Sequence, residues 1–244
     1  MVKDTRTKIL LSLILIGDIN FSSVVFDEKI EKVFDLSFNQ KTKSIINSLV
    51  KEGLIIQQNE SQSYSLTERG FLDFCLEFPF FRFLKYLWDR RWRIISYEIP
   101  ESKREIRDRL RRQMQGWGLG PWHRSFWVTP HPVIESLRWL IGGKEEEKYF
   151  QAFEADHIFG SREILVEKVW EKTKLDGEYR QLFRKWHEVL SSQEDKVSKF
   201  KKIVDTYVDL LKIDPGLPKE LIGESWIGFE GWGIFKEIRN ILLS

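Results

Sequence analysis

Cysteine occurs once in the 244 residues, at Cys75, and histidine four times. A lone cysteine excludes an intrachain disulfide, and its setting in Phe74-Cys75-Leu76 on an amphipathic stretch reads as a buried thiol rather than a nucleophile. His123, His131, His157 and His187 form no metal-spaced pair. Neither a His-Glu-x-x-His nor a paired-cysteine motif occurs, so neither a zinc site nor any other cofactor is expected. Long apolar runs are missing too. Ile9 to Ile16 is the conspicuous one, and it is far shorter than the roughly 20 residues a bilayer crossing needs. Lys3, Arg6 and Lys8 precede it in the manner of a signal peptide, yet Gly17-Asp18-Ile19-Asn20 offers no small-residue cleavage site. A core helix over Thr7 to Ile16 and a cytoplasmic setting away from membranes are therefore expected. There is no internal repeat and no low-complexity tract.

What the chain does contain is enough apolar material for real cores: 42% hydrophobic residues and ten tryptophans. Its net charge is only +2, so any surface for a polyanion must be local. One window is locally basic. Between Arg82 and Arg112 eleven lysines and arginines face five acids.

Residues 39 to 67 carry the most specific pattern. Asn39 to Glu52 predicts a helix with a buried stripe of Ile45, Ile46, Leu49 and Val50, leaving Gln40, Lys41, Lys43, Ser44, Asn47 and Lys51 outward. Gly53 is placed to stop that helix, Leu54 to Gln58 extends, Asn59 to Ser63 is a polar turn, and Tyr64 to Leu66 is a second short strand. A helix followed by a two-stranded wing is the order of a winged helix-turn-helix, which lays such a helix in the major groove of DNA. Asn39, Gln40, Lys41, Lys43, Ser44 and Asn47 would then read bases, while Lys51 and the wing residues Asn59 and Gln62 would grip phosphate. The plainer alternative is a packed helix with a solvated polar face.

Four segments follow from the periodicity, making an α+β multidomain chain. Residues 1–78 form the winged-helix unit, whose last helix runs from Thr67 to Phe78. Residues 79–90 form an aromatic connecting helix. Residues 91–157 read strand (Trp92 to Ile99), helix, strand or hairpin (His123 to Thr129), helix (Pro132 to Leu140), strand (Lys148 to Ala155), which suggests a ferredoxin-like βαββαβ domain. Residues 158–244 are helical in pattern, with a break at Asp214-Pro215-Gly216.

Gly116, Gly118 and Gly120 follow a helix and precede a strand, the reverse of a dinucleotide-binding loop, and read as turn residues. Glu98, near the end of the first central strand, could hold a divalent ion if a dimer brought two copies together. Otherwise it is a surface glutamate or one salt-bridged to the nearby arginines. The helix Lys103 to Arg112 is open to two readings as well, a solvated face balanced by Glu101, Glu105 and Asp108, or a phosphate or effector contact through Arg104, Arg107 and Arg111.

The central residues Trp92-Arg93-Ile94-Ile95-Ser96-Tyr97-Glu98-Ile99-Pro100-Glu101, with Arg104, Arg107, Leu110 and Arg111, then Gly116-Trp117-Gly118-Leu119-Gly120 and Phe126-Trp127-Val128-Thr129-Pro130, stand in a known order. Leu217-Pro218-Lys219-Glu220-Leu221 with Trp226, Gly228 and Phe235 continues it. Through these residues the chain resembles, end to end, the PaaX family of phenylacetate-pathway transcriptional repressors. The resemblance implies a winged-helix domain, a ferredoxin-like domain similar to the small CRISPR-associated metal-dependent nuclease, and a helical C-terminal domain. It also implies a homodimer on double-stranded DNA, with repression relieved by an aryl-CoA thioester. That nuclease has an aspartate after the first-strand tyrosine, where this chain has Glu98 after Tyr97. Two other readings stay open: a divalent-metal nuclease using Glu98, and a nucleic-acid-binding adaptor with neither effector nor catalysis.

Overall fold

The computed structural model describes residues 2–58 and 62–244. In chain order its elements begin with α1 (Thr5–Gly17), β1 (Val24–Val25), α2 (Glu28–Phe34), α3 (Gln40–Lys51), β2 (Ile55–Gln57), β3 (Ser63–Leu66) and α4 (Glu68–Glu77). They continue with α5 (Arg82–Lys85), β4 (Trp92–Tyr97), α6 (Arg104–Gly116), β5 (Gly120–His123), β6 (Phe126–Thr129), α7 (Ile134–Ile141) and β7 (Phe150–Ala155). The remainder is helical: α8 (Arg162–Trp170), α9 (Lys172–Ser191), α10 (Lys196–Leu211), α11 (Lys219–Ile222) and α12 (Ile227–Leu243).

The chain divides into two compact units. The first takes in the described residues of Met1–Cys75 with Gly177–Leu211 and Ile227–Ser244. Its α1 is capped by Asp4, whose carboxylate accepts from the Thr7 N–H at 2.8 Å, and is buried continuously from Ile9 to Leu15. A helix apolar on every side must be surrounded, and α12 helps to do so. Arg239 donates to the Leu15 and Ile16 carbonyls at 3.1 Å each, satisfying acceptors that a helix end leaves open.

Nothing was expected over residues 21–38, yet β1 and α2 lie there. Asp27 caps α2 by accepting from the Ile30 N–H at 2.9 Å, and Ile30, Val33 and Phe34 bury one face. The helix ends on Asp35 in the left-handed region (φ 49, ψ 47), and α10 packs against it with Lys201 2.7 Å from the Asp35 carboxylate. On α3 the buried line is Thr42, Ile46 and Leu49, spaced by four and three residues; Ile45 is half-buried and Val50 exposed, so the stripe is narrower than its apolar residues suggest.

An antiparallel sheet in the order β1-β3-β2 completes this part, with Val24 opposite Tyr64 and Ile55 opposite Leu66. Gly70 of α4 sits hard against the chain entering β2. A Cβ there would stand 1.9 Å from the Leu54 carbonyl oxygen. The later helices add an aromatic cluster in which Tyr207 meets the Trp186 and Phe235 rings at centroid distances of 5.3 and 5.0 Å.

The second unit comprises Leu76–Asp176 and Lys212–Trp226, so residues 158–244 contribute to both units. Its sheet, all antiparallel, has the order β5-β6-β4-β7, and its element order β4-α6-β5-β6-α7-β7 is ferredoxin-like. Ile95, Tyr97, Trp127 and Phe150 from the sheet pack with Leu110 and Met114 of α6 and Leu137 and Ile141 of α7. Arg93 on β4 is only 4% exposed. Its charge is held there by Asp89 at 2.6 Å and Glu154 at 3.1 Å, since a buried guanidinium without partners would be costly.

The connecting segment is helical only as far as Lys85, not through residue 90; Tyr86 is already extended. Asp89 shapes the entry to β4 instead. Its carboxylate accepts from the Arg91 N–H at 3.0 Å while pairing with Arg93, which turns the chain into β4.

Candidate nucleic-acid interface

Asn39 starts α3. Its side-chain oxygen accepts from the Thr42 N–H at 3.0 Å, so this residue works first as a helix cap, with its amide N–H groups left to donate to another partner. Gln40, Lys41, Lys43, Ser44, Asn47 and Lys51 are all exposed. Lys41, Lys43 and Lys51 pair with no carboxylate among the described residues. The outward face of α3 therefore presents amide, hydroxyl and ammonium groups that can donate to bases or phosphates.

This helix is anchored at its far end. Glu52, just beyond α3, accepts from Arg6 at 2.8 Å and from the Ser48 hydroxyl at 2.8 Å, and Arg6 also lies 3.5 Å from Asp73 of α4. The Ser48 and Arg6 hydrogen bonds hold the Glu52 carboxyl below its ordinary pKa. Sequence reasoning missed this anchor, because partners 46 residues apart leave no periodic signal.

In the hairpin beside α3, Ile56 faces Ser65 and Gln57 faces Tyr64 across the ladder, and Gln58 donates its side-chain amide to Ser65 at 3.0 Å. Gln62 is exposed at the hairpin, and its carbonyl accepts from the Phe26 N–H at 2.9 Å. Asn59 lies outside the described residues.

Arg104, Arg107 and Arg111 share a different surface, a cleft of about 440 Å³ beside the end of β4. Arg107 donates to Glu101 at 2.7 Å, which keeps Glu101 ionised below its ordinary pKa, and Arg104 lies 3.6 Å from Asp108. Glu98 lines the same cleft but is exposed, and its carboxylate joins no ion pair among the described residues. Of the two plain readings of Glu98, the surface glutamate is the one found; the arginines pair instead with Glu101 and Asp108, which lie close to them in sequence. Arg124, from the turn between β5 and β6, completes the lining. No motif marked it. Among the described residues no group of three or more His, Cys, Asp or Glu side chains is gathered as a metal site. None of the described helices is long and apolar enough to cross a membrane.

Residues 85–164 match the family model described as the PaaX protein central Cas2-like domain, and residues 170–244 match that of the PaaX-like protein C-terminal domain. No curated protein matches the chain. A solved structure described as the uncharacterized protein Rv0674 from Mycobacterium tuberculosis is similar over 97% of this chain and 97% of its own, at 15% identity and a TM-score of 0.49.

Proposed function

The chain belongs to the PaaX-like family, and on that premise we propose that it is a sequence-specific DNA-binding transcriptional regulator whose residues 1–78 act as a winged helix-turn-helix. The observation that carries the reading is the exposed face of α3, polar along its length, between a fixed turn from α2 and a two-stranded hairpin. Gln40, Lys41, Lys43, Ser44 and Asn47 read the major groove, and Lys51 and the wing hold phosphate. Asn39 sets the start of the helix. In this reading the regulator is a repressor that binds double-stranded DNA as a homodimer, with half-sites about 34 Å apart or a multiple of that, and leaves it when an acidic effector binds. It catalyses no reaction.

Selection of bound duplexes from a random pool, followed by incubation of the winning duplex with magnesium or manganese, tests the proposal. A palindromic site that stays intact supports it. Cutting of the duplex would favour the nuclease reading through Glu98, and absence of any enriched sequence would favour an adaptor.

A further inference from the structure

The turn that leads into α3 is held in part by a residue far outside residues 1–78. Asp35 ends α2 in the left-handed region (φ 49, ψ 47), a conformation that an aspartate tolerates better than most side chains. Three attachments keep it there. Its N–H donates to the Glu31 carbonyl, its own carbonyl accepts from the Lys8 ammonium of α1 at 3.1 Å, and its carboxylate lies 2.7 Å from the Lys201 ammonium of α10. Leu36 follows, buried and donating its N–H to Glu31 at 2.9 Å, and Asn39 then caps α3, so little slack separates Asp35 from the start of that helix.

Lys201 is not an ordinary surface lysine. Its ammonium nitrogen is closed off from water, so the charge is tolerated there only beside carboxylates. Among the described residues two serve, Asp35 at 2.7 Å and Asp205, one turn along α10, at 3.6 Å. Asp205 is the more distant, and burial raises its pKa, so Asp35 is the partner that fixes the ammonium. The helix behind Lys201 does not yield. Phe200, Ile203, Val204 and Tyr207 are all fully buried, and close packing of this kind makes α10 a firm support.

We infer that Lys201 is a positioning residue for base recognition: acting through Asp35, it sets the angle at which α3 leaves the turn from α2. The inference rests on the reading of α3 as the helix that contacts DNA, and it makes α10 a working part of that reader. Base edges take hydrogen bonds of defined direction, whereas lysines follow phosphates over a range of helix angles. Loss of the tie therefore lowers discrimination among sequences more than it lowers affinity for DNA as such.

The test is fluorescence anisotropy of the full-length protein with its selected duplex and with a duplex of scrambled sequence, at one salt concentration. Lys201→Met keeps the unbranched side chain and removes its charge, and Asp35→Asn keeps a residue suited to the left-handed turn. Each should weaken the selected duplex by about tenfold and the scrambled one by less than about twofold. The combined variant should lose no more than either alone, because the two residues act as one pair. Lys201→Arg, which still reaches the carboxylate, should restore affinity to within about threefold of the natural chain, and Asp205→Asn should leave both duplexes within about twofold. Equal losses on the two duplexes, tracking a lowered unfolding midpoint, would make the pair structural only and overturn the inference. Losses that add in the combined variant would overturn it too. Unchanged binding by Lys201→Met, with the natural chain still selecting its duplex, would overturn this inference alone; a natural chain that prefers no duplex would overturn the reading of α3 along with it.

Discussion

Arg6 and Glu52 meet at 2.8 Å, tying the first turn of α1 to the residue that follows α3. Both side chains are more than a third exposed, so the pair contributes less than about 1 kcal/mol to stability. Its consequence is positional. Arg6→Ala should leave the unfolding midpoint nearly unchanged while weakening DNA binding, measured by fluorescence anisotropy, because the outward face of α3 loses its fixed orientation. The depressed Glu52 pKa gives the anchor a pH window: it is fully present above the ordinary carboxylate value and is lost as pH falls through the lowered folded value. Wild-type affinity in Arg6→Ala would show that the anchor is incidental.

Asn39 separates capping from reading. Asn39→Ala should cost about 1 kcal/mol of stability by leaving the Thr42 N–H without its cap, and Asn39→Asp should restore most of it. A changed base preference with unchanged stability in Asn39→Ala would make the residue a reader instead.

His131 supplies a titration in the second unit. The imidazole is buried, donates from Nε2 to the Pro215 carbonyl at 2.7 Å, and stacks on Phe83. Burial, and then the charge of Arg82, pushes its pKa down to about 3. The folded ring therefore stays neutral while an unfolded one takes up a proton below about 6.5. Its contribution to stability is complete above that value and is lost as pH falls through the window toward about 3. The denaturant midpoint of the natural chain should drop more steeply between these limits than that of His131→Gln. Parallel pH profiles for the two proteins would contradict the assignment.

The sequence was most legible where periodicity or a cap acts alone. Asn39 and Gly53 bound α3 as expected, Gly53 with φ +71, and the strand-helix pattern over 92–155 matches the observed βαββαβ order. The helix α2 was legible in principle, since Asp27 stands before the apolar spacing of Ile30, Val33 and Phe34, but its seven residues give the period little room. Arg93, Arg124 and the Arg6–Glu52 pair were not legible. Each depends on a turn or on a partner brought close only by the fold, and charge at those positions looks in sequence like any solvated surface. Residues 158–244 look alike in pattern along their length, so their contribution to both units could not be read from helical spacing.

Glu98 divides the regulator from the nuclease. Because its carboxylate is exposed and belongs to no group of three or more His, Cys, Asp or Glu side chains among the described residues, Glu98→Gln should leave DNA affinity unchanged in magnesium or manganese, with duplex intact before and after the substitution. Metal-dependent cutting by the natural chain that disappears in Glu98→Gln, with binding retained, would establish the nuclease.

Whether the outward face of α3 touches DNA is decided by the salt dependence of binding in Lys41→Ala combined with Lys43→Ala. Each lysine that neutralises a phosphate adds about 0.9 to the steepness of log K against log salt, so the double variant should bind more weakly and with a slope shallower by about 2. Gln40→Ala and Asn47→Ala should keep the slope and lose about 1 to 3 kcal/mol of base discrimination wherever the hydrogen bonding is bidentate. A double lysine variant with the affinity and the slope of the natural protein would remove α3 from the DNA interface.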